Sequence, residues 1–481
     1  MTPVFNWLTH LLSWNYWKNW WNRPAGGWEV VQLAVPMIIS SGSIALMQFA
    51  DRVFLTWFDA NAMGAAFSSS HILWLFAAFP FSIAGYANAF VSQYNGAGQY
   101  RQAGKIIWQG VFLGLGLMPV FLLLSPFNIH LFRLFRHTPE MTLLENSYLY
   151  YSLWGIGALI ANEALASFFV GQKKVNIVMA INIIGVILNI ILDYIMIFGI
   201  HGFCRWGING AAIATTISQW IRFLIFVTLM FWDDARQKRF GIWEGCRLDW
   251  KCMKRLVKFG GMGGINSTVE MLGFSFFIMI IAMIGEQENA ATAIAFNLNA
   301  LTFMPVLGTG VAVITLVGNQ IGAGHPQLAR RATFSALLLG IIITGLFVVL
   351  FFFFPDICLF PYLKNDIAGF ASLRRMTTVI LRFVALYLFF DSITIIFASA
   401  IKGAGDIKFI MLTTIIMYSI LILLLWIGMN YYAIGIYGYW GILTVFTLCL
   451  SIIFSFRFFQ GKWMRMKLTE PDLSGPDSMR E

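Results

Sequence analysis

Residues 29–58 read EVVQLAVPMIISSGSIALMQFADRVFLTWF, from Glu29 to Phe58. Between Val30 and Ala50 no side chain carries a charge, and 21 residues at a rise of about 1.5 Å make roughly 31 Å of helix, the thickness of a bilayer's hydrocarbon. The stretch is a transmembrane helix. Two of its residues are wrong for a mere anchor. Pro36 removes a backbone donor and can kink the helix, and Asp51 places a carboxyl roughly four turns further on, still at membrane depth. A charge there costs about 2.5–3.5 kcal/mol on insertion scales, so it calls for a function.

The rest of the chain has the same character. Of 481 residues 59% are hydrophobic and 11% charged, with a mean hydropathy of +0.75, which excludes a soluble domain. Apolar runs of helix length recur twelve times, at roughly 31–57, 67–91, 106–127, 147–170, 175–199, 207–232, 256–284, 292–317, 334–355, 376–401, 409–428 and 437–459. Residues 1–27 precede the first run. Trp7, Trp14, Trp17, Trp20 and Trp21 with Lys18 and Arg23 give them the composition of a segment lying in the membrane interface, unlike a signal peptide. With that segment in the cytoplasm, 23 of the 32 Lys and Arg fall in inner segments and 6 in outer loops; Arg52, Arg222 and Arg382 remain inside helices. The expected topology therefore has both termini cytoplasmic.

A repeat organises the runs. Val91–Ile106 reads VSQYNGAGQYRQAGKI and Val317–Ala332 reads VGNQIGAGHPQLARRA, so the triplets Gly96-Ala97-Gly98 and Gly322-Ala323-Gly324 lie 226 residues apart. Ala166-Ser167 with Gly171 meets Ala398-Ser399 with Gly403 at an offset of 232, and Trp206-Gly207-Ile208 meets Trp440-Gly441-Ile442 at 234. Each unit holds six spans, an even number, so the two copies enter the membrane in the same sense and are related by a pseudo-two-fold axis along its normal. The expected layout is an N-lobe over 28–232, a basic cytoplasmic linker over 233–255, a C-lobe over 256–460 and a tail over 461–481. The fold class is thus an all-α polytopic membrane protein of twelve transmembrane helices in two six-helix lobes. Such halves enclose a cavity near the midplane, which points to a transporter.

Enzyme signatures are missing: the sequence holds no Walker motif, no HExxH and no GxSxG. The five cysteines, Cys204, Cys246, Cys252, Cys358 and Cys449, have no zinc-site spacing. The GAG loops lack the Lys-Ser/Thr of a phosphate-binding loop and read as tight turns. The basic linker suits headgroup contact and topology better than a nucleic acid.

The acids break the repeat. Asp51 aligns with Phe277, Glu270 with Ile44, Asp391 with Leu159 and Asp193 with Leu425, so the scaffold is doubled while its carboxyls are individual. Five intramembrane acids stand out: Asp51, Glu163, Asp193, Glu270 and Asp391. From helix rise, Asp51 and Asp193 reach the outer half, about 30 and 27 Å in, and Glu270 and Asp391 lie near the midplane. Asn189 precedes Asp193 by one turn on the same helical face, so Asp51, Asn189 and Asp193 make an N-lobe cage.

With these residues in place, the chain resembles the multidrug and toxic compound extrusion (MATE) transporters from about residue 28 to 460. The matching features are LAVP and FAD in the first helix, the two GAG loops, LNIILD in the fifth, WGINGAAIAT into the sixth, VE in the seventh, FMP and LVGNQIGAG in the eighth, and FFDS and IKGAGD in the tenth. The resemblance implies efflux of bulky, often aromatic cations in exchange for H⁺ or Na⁺. It also implies a cation or proton site at Asp51, Asn189 and Asp193, with Na⁺ as its metal, and a second cation or substrate site at Glu270 and Asp391. Asn162, Glu163 and Thr215 would add to the N-lobe shell, and Pro36 matches a first-helix proline proposed to bend. Arg52 departs from the small polar residue common after the first-helix acid.

The expectation is accordingly a secondary antiporter of a bacterial-type inner membrane, with no cofactor beyond its coupling ion. Its partners would be a small organic substrate and membrane lipid, not nucleic acid, and it would act as a monomer. The rivals are a flippase for lipids or lipid-linked sugars, whose cavity would need cations for a pyrophosphate, and a membrane-embedded enzyme.

Overall fold

The computed structural model describes residues 20–134, 138–199, 205–360, 370–432 and 434–469. The interfacial segment expected over residues 1–27 lies mostly outside them. Among the described residues there are twelve helices long and apolar enough to cross a membrane, numbered here α1 to α12. The first six are α1 (Gly27–Phe58), α2 (Asn61–Gly96), α3 (Tyr100–His130), α4 (Pro139–Gly171), α5 (Val175–Phe198) and α6 (Ile208–Gln237). The second six are α7 (Trp250–Ile284), α8 (Glu286–Gly322), α9 (Pro326–Phe353), α10 (Ser372–Ala404), α11 (Ile407–Tyr432) and α12 (Ile436–Phe459). Most outrun the apolar stretch that marks them, because polar and capping residues continue the helix past the lipid. Helix α1 runs unbroken through Pro36.

Packing repeats as the sequence does. In the first lobe α4 packs against α2, α3 and α6, and in the second α10 packs against α8, α9 and α12; α1 lies on α5 as α7 lies on α11. The lobes meet where α1 packs on α8, α7 on α2, and α2 on α8.

The repeated glycines show what that meeting needs. A Cβ on Gly96 would stand 2.0 Å from the Asn319 carbonyl oxygen, and one on Gly322 would stand 2.1 Å from that of Gln93. Gln93 and Asn319 are themselves 226 residues apart, so each helix end presses into the glycine of the other across the pseudo-axis. The turn itself belongs to the third residue of each triplet, Gly98 at φ +74° and Gly324 at φ +78°, a left-handed conformation that favours glycine.

Hydrogen bonds joining the lobes gather at this GAG face. Asn95 Nδ2 donates to Asn319 Oδ1 (2.7 Å), Gln93 Nε2 to the Gly403 carbonyl (2.9 Å) and Asn319 Nδ2 to the Gly171 carbonyl (2.9 Å). The Leu468 amide donates to Gln93 Oε1 (2.7 Å), which brings the described tail onto the same seam. Toward the opposite face, α1 commits Leu55 to its own lobe, in a cluster with Ala62, Ala65, Tyr148, Ile197 and Ile208.

The linker is more ordered than its composition suggests. Helix α6 continues to Gln237 and α7 begins at Trp250, and Asp234 accepts from the amides of Phe240 (2.8 Å), Gly241 (3.1 Å) and Ile242 (2.8 Å). Trp108 Nε1 then donates to the Ile242 carbonyl (2.9 Å), seating the loop on α3. Cys252 falls inside α7 and is buried rather than in a loop.

Candidate functional site

Helices α1, α5 and α6 assemble the N-lobe cage. Asn189 and Asp193, one turn apart on α5, are both 0% exposed, and they lie beside Asp51 of α1. The Asn189 amide nitrogen reaches Asp51 Oδ1 at 3.0 Å and Asp193 Oδ2 at 3.1 Å, and its oxygen accepts from Thr215 Oγ1 of α6 at 3.2 Å. Turned over, the amide keeps the same partner, Nδ2 donating to Thr215 Oγ1 at 3.2 Å, because a hydroxyl both donates and accepts. The carboxyls of Asp51 and Asp193 lie within hydrogen-bonding reach of each other, and Asp193 Oδ1 has no protein partner. Two carboxylates this close repel unless a proton or cation sits with them. With the amide nitrogen on the carboxyls the set suits a proton, and with the amide turned so that its oxygen joins them it suits a hard cation such as Na⁺.

The second lobe fills the equivalent space with hydrocarbon. Phe277, opposite number of Asp51, and Leu425, opposite number of Asp193, are both 0% exposed. Phe277 packs edge-on against Trp440 at 5.5 Å and Phe296 at 6.2 Å.

Between the lobes lies a cavity of about 880 Å³, walled by α1, α2, α4, α5 and α6 and by parts of α7, α8 and α10. Asp51 and Thr215 open onto it, and Asp193 stands behind them. Arg52 also lines it, with its guanidinium 5.1 Å from the centre of the Phe67 ring. Deeper in, Arg222 of α6 donates to Asn182 Oδ1 of α5, and Asn182 Nδ2 donates to Ser40 of α1. Gly185 makes the room: a Cβ there would meet Arg222 Cδ at 2.3 Å.

Two N-lobe candidates go elsewhere. Asn162 is spent on α6, donating to the Gln219 carbonyl (3.0 Å) and Gln219 Oε1 (3.1 Å), and does not join the Asp51 cage. Glu163 lines the cavity and faces Arg222 and Lys402. In the C-lobe, Glu270 accepts from Asn266 Nδ2 (2.9 Å) and faces Asp391 and Lys402. Neither Glu270 nor Asp391 is part of the cavity wall; Ser267 and Met271, on either side of Glu270 along α7, are. The C-lobe acids thus stand on the flank of the cavity rather than in it.

The charges of the cavity correct one expectation. Sequence made its candidates acidic, opposed only by Arg52, Arg222 and Arg382. Arg382 instead points out over the Phe352 ring, and Lys402, placed just past the tenth apolar run, lines the wall. The wall therefore carries Asp51 and Glu163 against Arg52, Arg222 and Lys402. Glu145 was also missed, since it precedes the fourth run; it is fully buried, with its carboxylate accepting from Ser68. The signal available for Lys402 was the repeat: its opposite number is Val170, so a charge replaces an apolar residue at a helix position.

Two six-helix lobes packed alike around one interlobe cavity define a membrane transporter of the repeated-lobe kind. The MatE family model matches residues 36–195 and 264–427, and the chain belongs to the multidrug and toxic compound extrusion family of efflux transporters. It is 25% identical over 419 residues to the multidrug resistance protein NorM of Aliivibrio fischeri, covering 86% of this chain and 90% of that one. It is 24% identical over 440 residues to "Probable multidrug resistance protein NorM" of Thermotoga maritima, covering 90% and 92%. Among solved structures, it matches an outward-facing conformation of a multidrug resistance MATE family transporter with a TM-score of 0.82 at 18% identity, over 93% of this chain and 98% of that one.

Proposed function

We propose that the chain is a secondary active antiporter that exports bulky, cationic aromatic compounds in exchange for H⁺ or Na⁺ by alternating access. The observation that carries this reading is the position of Asp51. Its carboxyl belongs at once to the buried set with Asn189 and Asp193 and to the wall of an 880 Å³ cavity. An ion bound there alters the charge that a substrate meets, which is the linkage an exchanger needs. Asp51, Asn189, Asp193 and Thr215 would hold the coupling ion. Glu270 and Asp391 would supply a second cationic site beside the cavity. The GAG face, with both described ends, is assigned to the cytoplasm from the Lys and Arg count, and its closed seam then makes this the outward-facing state.

A fluorescent organic cation loaded into reconstituted vesicles, driven separately by a pH and a sodium gradient, tests the proposal. Gradient-dependent movement is expected; no movement under either gradient contradicts it. The three cations on the cavity wall favour one second reading, a flippase for an anionic lipid-linked substrate, which the same vesicles test by translocation of a lipid-linked pyrophosphate without an ion gradient.

A further inference from the structure

Lys402 lines the cavity and belongs to neither lobe's proposed ion site. It sits in the last turn of α10, close to the seam between the lobes. The Tyr86 hydroxyl of α2 donates to its carbonyl at 3.4 Å. The next residue, Gly403, receives Gln93 Nε2 at 2.9 Å, and a Cβ there would stand 2.7 Å from the Ile314 carbonyl oxygen. The backbone is thereby fixed at the seam, while the side chain points into the cavity. Glu163 of α4 lines the same cavity, and Glu270 of α7 stands beside it between the wall residues Ser267 and Met271, so two carboxylates from different lobes lie within electrostatic range of the Lys402 ammonium. Neither is in direct contact with it: no ion pair within 4.0 Å involves Lys402 among those of the described residues. Glu163 has Arg222 as a further cationic neighbour, and Glu270 has Asn266 and, as a like charge, Asp391.

An ammonium on a flexible four-carbon stem, fixed at its base and poised between two acids, is not a static salt bridge. We infer that Lys402 is a tethered counter-cation that sets the charge selectivity of the cavity. With the cavity empty it balances Glu163 and Glu270; a cationic substrate must displace it, and an anionic one is drawn to it. This rests on the proposed transport of organic cations through this cavity. Lys402 acts here as a specificity-determining residue.

The test uses two ions of one shape and opposite charge, tetraphenylphosphonium and tetraphenylborate, binding to the purified full-length protein. Lys402→Met should tighten the phosphonium on the order of tenfold, the size of one screened like-charge repulsion, and weaken the borate by a similar factor. Glu163→Gln should shift both ions the opposite way. Lys402→Arg keeps the charge and should resemble the wild type, which controls for folding. A merely structural role would move both ions in the same direction. Parallel shifts, or unchanged binding of both ions by a folded Lys402→Met, would overturn the inference and leave the proposed function standing. Failure of the wild type to bind either ion would instead contradict the proposed substrate class, and this inference with it.

Discussion

The carbonyl of Asn319 occupies the space where Gly96 lacks a side chain, with 2.0 Å between that oxygen and the point a Cβ would take. Gly322 and Gln93 repeat the relation at 2.1 Å. Both contacts join one lobe to the other at the GAG face, so an added methyl group acts on the distance between lobes rather than on either lobe alone. Since the neighbour is backbone, no side chain can swing aside.

Gly96→Ala should therefore disfavour closure of the GAG face while each lobe stays folded. Spin labels on the ends of α2 and α8 would report the distance, expected to lengthen in the variant. An unchanged distance distribution would mean that α2 absorbs the methyl by a shift within its own lobe.

Thr215→Val removes the hydroxyl that pairs with Asn189 in either orientation of its amide. A neutral hydrogen bond contributes about 1 kcal/mol, so the apparent affinity for the coupling ion should fall roughly fivefold, with substrate affinity at saturating ion little altered. Efflux measured against ion concentration checks this. Equal half-saturation in the variant and the wild type would remove Thr215 from the ion site.

Glu270→Gln with Asp391→Asn should weaken binding of an organic cation such as ethidium. The two acids face each other beside the cavity, with Lys402 as a nearby cation. Equilibrium binding by fluorescence is the measurement, and unchanged affinity in the double variant would make the pair structural.

Pro36→Ala restores a backbone donor in a helix that here runs continuously from Gly27 to Phe58. If transport requires α1 to bend, the bent state becomes harder to reach, and a shift of about 1.4 kcal/mol lowers its population tenfold. Initial efflux should slow while equilibrium substrate affinity stays near that of the wild type. Equal rates at matched expression would leave the proline a fixed packing feature.

How far the sequence carried is clearest in single residues. The twelve spans were legible because each is a long uncharged run, and the two lobes because GAG, Ala-Ser and Trp-Gly-Ile recur at nearly constant offset. Asn189 and Asp193 could be placed together since i and i+4 share a helical face. Which third helix closes a cage is not written in any one helix. Thus Asn162 and Thr215 were equal candidates, and only the packing of α6 on α4 and α5 sends Asn162 to Gln219 and Thr215 to Asn189. Lys402 was lost for a similar reason. A lysine at the end of an apolar run reads as leaving the membrane, yet the close approach of α10 to α8 at Gly403 turns this one inward. The first glycine of each GAG read as part of a turn, because a contact with a residue 226 positions away leaves no local trace.

The central claim, that the carboxyl of Asp51 couples ion binding to export, meets its most direct test in Asp51→Asn. The amide keeps the size of the side chain and one acceptor oxygen for Asn189, but it can neither exchange a proton nor hold a cation well. Reconstituted at equal density with the wild type, the variant should still bind the fluorescent cation in the absence of a gradient, and it should show no uphill transport under either a pH or a sodium gradient. Uphill transport at the wild-type rate in that variant would contradict the account.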